Sequence, residues 1–178
     1  DENFITFTTK IAGQDTRFMP FNKGTDEGGA GNPLNPAGTM TDYLWKYFLK
    51  KETLTSLIRD FVYLAGDKSK RVETLIFPRY HQYRAVTRLV DDVTEKGVGG
   101  RYLIQHSAGS GKSNSITWLS YRLVEVNYNN KKAFDSVIVV TDRLNLDKQI
   151  TENIRKFIDE KSIVGHANSS TNLKDLLL

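Results

Sequence analysis

Apolar and polar positions alternate along the chain in two distinguishable periods. Asn3 to Lys10 sets Phe4 and Phe7 around a Thr-rich stretch, the pattern of a half-buried strand. Ala12 to Asp15 reads as a turn, and Thr16 to Phe21 as a second strand, so that 4–21 forms a hairpin with Pro20 at its edge. The period then changes. Thr41 is placed to cap a helix over 42–50, with Leu44, Tyr47 and Phe48 on one face. A second helix is expected over 52–64: Leu54, Leu57, Ile58, Phe61 and Val62 form a core-facing stripe, and Gly66 ends it. Further on, Tyr83, Val86, Leu89, Val90 and Val93 make another helical stripe, and the glycines at 97, 99 and 100 make a turn. A strand over 102–106 follows, then a helix over 112–128 burying Ile116, Leu119, Leu123 and Val124. Ser136 to Thr141, β-branched from Val137 onward, is expected as a strand covered on both faces. Asp142 reads as the cap of a helix over 143–159, carrying Leu144, Leu146, Ile150, Ile154, Phe157 and Ile158. A short strand at 162–164 and a helix beginning at 173 complete the series.

Strands alternating with helices in the second half predict an α/β fold built on a parallel sheet. The first half is a smaller hairpin-plus-helices segment, with a boundary expected between residues 74 and 75. Residues 22–39 hold five glycines (24, 28, 29, 31 and 38) with Pro33 and Pro36, and read as a long mobile connection. The basic run Lys68 to Arg71 is a solvated loop or, more sharply, a nucleic-acid backbone contact.

Composition narrows the class. Of the 178 residues 39% are apolar and 26% charged, so the chain can build a core. It holds no cysteine, which excludes a disulfide framework, zinc fingers and thiol chemistry. The net charge of +4 is compatible with a polyanionic partner without requiring one. No apolar run reaches membrane-spanning length and no leader pattern opens the chain, so a cytoplasmic protein without a membrane partner is expected. Both ends interrupt a pattern, which suggests a fragment.

One stretch carries chemistry. Between the expected strand at 102–106 and the helix from Lys112 lies His106-Ser107-Ala108-Gly109-Ser110-Gly111-Lys112-Ser113-Asn114. A helix starting there aims unpaired N–H groups and the positive end of its dipole into a small, flexible loop, which is a phosphate cradle. Lys112 adds a mobile charge for the β- and γ-phosphates, and the Ser113 hydroxyl can ligate Mg²⁺. The pattern G-x-x-x-x-G-K-[ST] is complete except at its first position, where His106 replaces glycine. Upstream, Gln82 has the amide edge that can pair bidentately with adenine N6 and N7, which would select ATP.

In combination, Phe77-Pro-Arg-Tyr-His-Gln82, Tyr102 to Asn114, and Val137-Ile-Val-Val-Thr-Asp-Arg143 with Leu146, Asp147 and Gln149 resemble the motor domain of superfamily 2 helicases and translocases. More closely, they resemble the restriction (motor and nuclease) subunit of type I restriction-modification enzymes. Thr16 to Phe18, Pro20 to Gly24 and Tyr43 to Trp45 extend the likeness less specifically. The resemblance implies a first RecA-like P-loop domain over 75–178, preceded by a segment that follows a nuclease domain. It implies ATP and Mg²⁺ as cofactors, with Arg79, Gln82 and Ser107 to Asn114 at the nucleotide and Lys112 catalytic. Thr141 and Arg143 would lie near the DNA track. Double-stranded DNA and the methylation and specificity subunits are the implied partners. The nuclease residues would precede Asp1, and the acidic Mg²⁺ motif, the second RecA-like domain and its arginine finger would follow Leu178. Little or no hydrolysis is therefore expected of this chain alone. A small-molecule P-loop kinase would need a substrate lid, for which the sequence shows no pattern. The alternatives are another superfamily 2 DNA helicase or translocase, or a nucleotide-dependent interaction module without DNA contact.

Overall fold

Aromatic residues scattered through the first eighty positions find one another, and their cluster is the core of the first half. In the computed structural model, which describes residues 1–26, 28–67, 72–157 and 164–177, the backbone divides into two compact units, Asp1–Arg84 and Ala85–Leu178. In the first, Phe21 packs edge-on against Phe48 at 4.8 Å, and Phe7 lies 4.7 Å from Phe77. Tyr83 sits 5.0 Å from both Phe48 and Phe61. Such pairs add about 0.5–1.5 kcal/mol each beyond the area they bury.

The expected N-terminal hairpin forms, but only β1 (Thr6–Phe7) and β2 (Met19–Pro20) pair, antiparallel, with Pro20 opposite Thr6. The glycine-rich stretch after it is not the loose connection its composition suggested. Buried Asn32 ties it down: its Oδ1 accepts from Lys23 N–H at 2.8 Å, and its Nδ2 donates to Asn3 O at 2.8 Å and Asn22 Oδ1 at 3.0 Å. Side-chain amides here supply the backbone partners that a strand or helix would otherwise provide.

The next segment departs from the expected α-helix. Leu44–Phe48 is a π-helical turn, closed by Leu49 N–H on Leu44 O at 2.8 Å. That winding puts Tyr43 and Phe48, five apart, into the core, while Tyr47 stays 45% exposed. Thr41 does not cap it; its hydroxyl donates to the carbonyls of Asp1 and Glu2. Helix α1 spans Lys51–Phe61 and buries Leu57 and Phe61, but Ile58 from the expected stripe faces out. It stops three residues short of the expected end, because Tyr63–Asp67 (β3) pairs antiparallel with Val72–Ile76 (β4). Gly66 therefore lies in a strand, opposite Glu73, and is not a helix cap. The basic run 68–71 lies outside the described residues.

Helix α2, Tyr80–Lys96, follows its sequence stripe: Tyr83, Val86, Val90 and Val93 are buried. Gly97, at φ +82°, closes it by donating its N–H to Val93 O. In the second unit α3 (Lys112–Glu125) and α4 (Leu144–Phe157) pack together, with Tyr121 edge-on to Phe157 at 4.9 Å. Trp118 of α3 is fully buried, whereas the apolar residues expected to carry that helix are only half-buried. A hairpin that the sequence pattern did not announce, β5 (Asn127–Tyr128) with β6 (Lys131–Lys132), follows α3, and α5 covers Ser170–Leu177. The short strand expected at 162–164 falls largely outside the described residues.

The parallel sheet is where expectation and structure part. All three sheets among the described residues are two-stranded and antiparallel. Neither 102–106 nor 136–141 is a strand; Leu103 is 92% and Val140 88% exposed. A β-branched run becomes a strand only when a neighbour completes its hydrogen-bond ladder, and the described residues bring none to either run.

Candidate nucleotide site

The loop reaches α3 through a tethered lead-in. After the turn at 97–100, Tyr102 donates its hydroxyl to Asp92 Oδ2 at 2.6 Å, on the last turns of α2. Lys96 also pairs with Asp92. The hydrogen bonds from Lys96 and then Tyr102 hold the Asp92 carboxyl below its ordinary range.

From His106 the chain folds back on itself. Gly109 and Gly111 take positive φ angles of 72° and 82°, and Ser110 N–H reaches Ser107 O at 3.4 Å. Gly111 is the residue before α3, in left-handed conformation, with no side chain to cap the helix. A Cβ at Gly109 would meet nothing within 4 Å, so open space lies against the loop there. Lys112 bends back over the loop, its Nζ donating to Ser107 O at 2.8 Å and His106 O at 3.1 Å. The ammonium is thus held beside the exposed backbone of Ser107, Ala108 and Gly109. Ser110 is buried; Ser113 and Asn114 are half-buried in the first turn of α3. Asn114 N–H and Ser115 N–H both turn to Gly111 O, whereas the N–H groups at the very start of a helix have no partner within it.

This arrangement suits an anion. It offers helix-start N–H groups, an ammonium held on neutral carbonyls that a phosphate can replace, glycine backbone that a phosphate can approach, and a hydroxyl for a metal. ATP with Mg²⁺ fits that donor set: Lys112 can exchange two carbonyls for phosphate oxygens, and Ser113 stands one residue further along. The structure therefore brings Ser107 to Asn114 together as one constellation.

The other expected residues sit apart from it in sequence. Gln82 is in the first unit, only 3% exposed, and its Oε1 accepts Arg79 N–H at 2.8 Å. That is the reciprocal half of a capping box, a third-position glutamine reaching back to the residue before the helix. Thr141 is half-buried and Arg143 exposed just ahead of α4, with Arg143 Nε 3.9 Å from Asp142. Sequence reasoning missed Asn153 on α4, whose Nδ2 donates to Asn114 Oδ1 at 3.4 Å and links α4 to the first turn after the loop. A lone asparagine on a polar helix face gives no sequence signal for this.

The family described as SWI2/SNF2 ATPase matches residues 81–178. A protein of Methanocaldococcus jannaschii named for a type I restriction enzyme endonuclease subunit is 33% identical over 111 residues. That match spans 60% of this chain and 10% of the relative. No solved structure matches the chain.

Proposed function

Because the chain belongs to the SWI2/SNF2 ATPase family, we propose that it is the ATP-binding part of a DNA-translocating restriction subunit. The observation that carries this reading is the loop at 106–113, closed by Lys112 at the start of α3, inside the matched region. The likeness to a restriction endonuclease subunit supports the type I assignment.

In this reading the N–H groups of Gly109 to Ser113 and the Lys112 ammonium receive the β- and γ-phosphates. Ser113 would hold Mg²⁺, and the ion would supply charge neutralisation at the phosphates. Arg79 and Gln82 serve the adenine, and Thr141 with Arg143 serves double-stranded DNA. Hydrolysis, translocation and assembly with methylation and specificity subunits belong to the whole enzyme in this reading. No described helix is long and apolar enough to cross a membrane.

Equilibrium binding of a fluorescent ATP analogue with Mg²⁺ tests the proposal. Lys112→Ala should weaken binding by roughly ten- to a hundredfold, the ~1.5–3 kcal/mol of a hydrogen bond to a charged group. Unchanged affinity in a folded Lys112→Ala variant would remove the loop from the nucleotide site.

A further inference from the structure

The hairpin after α3 takes no part in the nucleotide site, yet it is built with care. Its turn is Asn129-Asn130, both at positive φ (50° and 60°), the left-handed pair that matches the twist of a two-residue hairpin. Ala133 N–H on Val126 O at 2.9 Å closes its base. It is also anchored. The Tyr128 ring lies so close over Gly97 that a Cβ there would stand 2.8 Å from its Cε1. The hairpin is therefore fixed to the end of α2.

Beside it runs an open cleft of about 540 Å³, lined by Val98, Tyr128, Asn129, Lys131, Lys132 and Ala133. Among the described residues that line it, two are cations and none is an acid. Lys131 and Lys132 are exposed, and neither forms a salt bridge among the described residues. Exposed lysines without an acidic partner among the described residues leave local positive charge that favours a negatively charged ligand. The other polar groups present, an asparagine amide and a tyrosine hydroxyl, are the types that accompany lysine at phosphate and sugar contacts. An open cleft also suits a linear polyanion passing along it better than a small ligand enclosed by it.

We propose that the β5–β6 hairpin is a phosphate-backbone contact for duplex DNA, made by Lys131 and Lys132 with Asn129. This rests on the DNA-motor reading above and adds to it a contact outside the Thr141–Arg143 segment. Such a contact positions the duplex and carries no sequence preference.

Fluorescence anisotropy of a random-sequence duplex with the 178-residue chain, across a salt series, reads the contact directly. Removing one lysine from a phosphate should reduce the slope of log K against log salt by about 0.9, so Lys131→Ala/Lys132→Ala should reduce it by about 1.8. Arg143→Ala serves as the independent arm, expected to reduce it by about 0.9. In the unsubstituted chain, duplex should also protect Lys131 and Lys132 from acetylation, read by mass spectrometry without any variant. A double variant with unchanged slope and no protection, beside a responsive Arg143→Ala, overturns the hairpin contact and leaves the motor reading standing. No duplex binding by the chain at low salt overturns both. Displacement of the duplex by equimolar polyglutamate, with polyglutamate itself protecting both lysines, overturns DNA as the occupant in favour of an acidic protein segment.

Discussion

Lys112 is parked on two backbone carbonyls, neutral groups that a phosphate readily displaces. Gln82 is occupied differently. Its Oε1 closes the first turn of α2 through Arg79 N–H, in a buried position. A carbonyl oxygen has two lone pairs, so capping the helix and reading adenine are compatible at the level of hydrogen-bond capacity. Gln82→Glu separates them: the carboxylate keeps an acceptor for Arg79 N–H but cannot donate to adenine N7. If Gln82 reads the base, the ratio of ATP to GTP affinity should fall by roughly tenfold, within the ~1–3 kcal/mol of a bidentate base contact. The ratio is the useful readout, because a general loss of stability affects both nucleotides alike. An unchanged ratio in calorimetric titrations would leave Gln82 as a helix cap alone.

Elements here end where tertiary partners end them. The stripe on α1 extends in sequence to Val62, yet the helix yields at Phe61 because the chain from Tyr63 to Asp67 gains a ladder with β4. Glycine at 66 reads as a helix stop in sequence and is a strand residue in the fold. The π-helical turn at 44–48 has the same origin: its wider winding lets Tyr43 and Phe48 share the aromatic core. At the end of α2 the constraint is local and testable. Gly97→Ala places a side chain at φ +82° and 2.8 Å from the Tyr128 ring. It should destabilise by ~1–3 kcal/mol, from the left-handed backbone penalty with the ring displacement added. Urea unfolding of Gly97→Ala, Tyr128→Ala and the double variant should show the two effects coupled. Simple additivity would mean that the ring is not what Gly97 accommodates.

Across the whole chain, the two units rest on different cores. The first is aromatic and contains a titratable member. Burial pushes the Tyr43 hydroxyl up to about 12, against a smaller opposing effect of Asn32, and the hydroxyl donates to Phe21 O at 2.6 Å. Its folded pKa lies above the unfolded value near 10, so its contribution to stability is full below pH 10. It is lost as pH rises from 10 through about 12. Alkaline titration should show Tyr43 ionising well above 10 together with loss of the first unit's near-ultraviolet signal, and Tyr43→Phe should remove its share of that late step. Tyrosines all ionising near 10 with no structural change would contradict it.

The glycine-rich turn before Lys112 and the helices after residue 80 are legible in the linear chain. Helical hydrogen bonds close within four residues, and apolar stripes and glycine punctuation report them directly. The groups proposed for the nucleotide lie in consecutive residues, so spacing alone suggests them. Strand pairing carries no such local record. The runs at 102–106 and 136–141 have strand composition and remain unpaired, while Tyr63–Asp67, whose pattern reads as helix end and cap, finds β4 and becomes a strand. The clasp of Asn32, the π-helical winding and the basic hairpin fixed over Gly97 likewise depend on groups far apart in sequence meeting in space. Their energies exist only once the fold has brought those groups together.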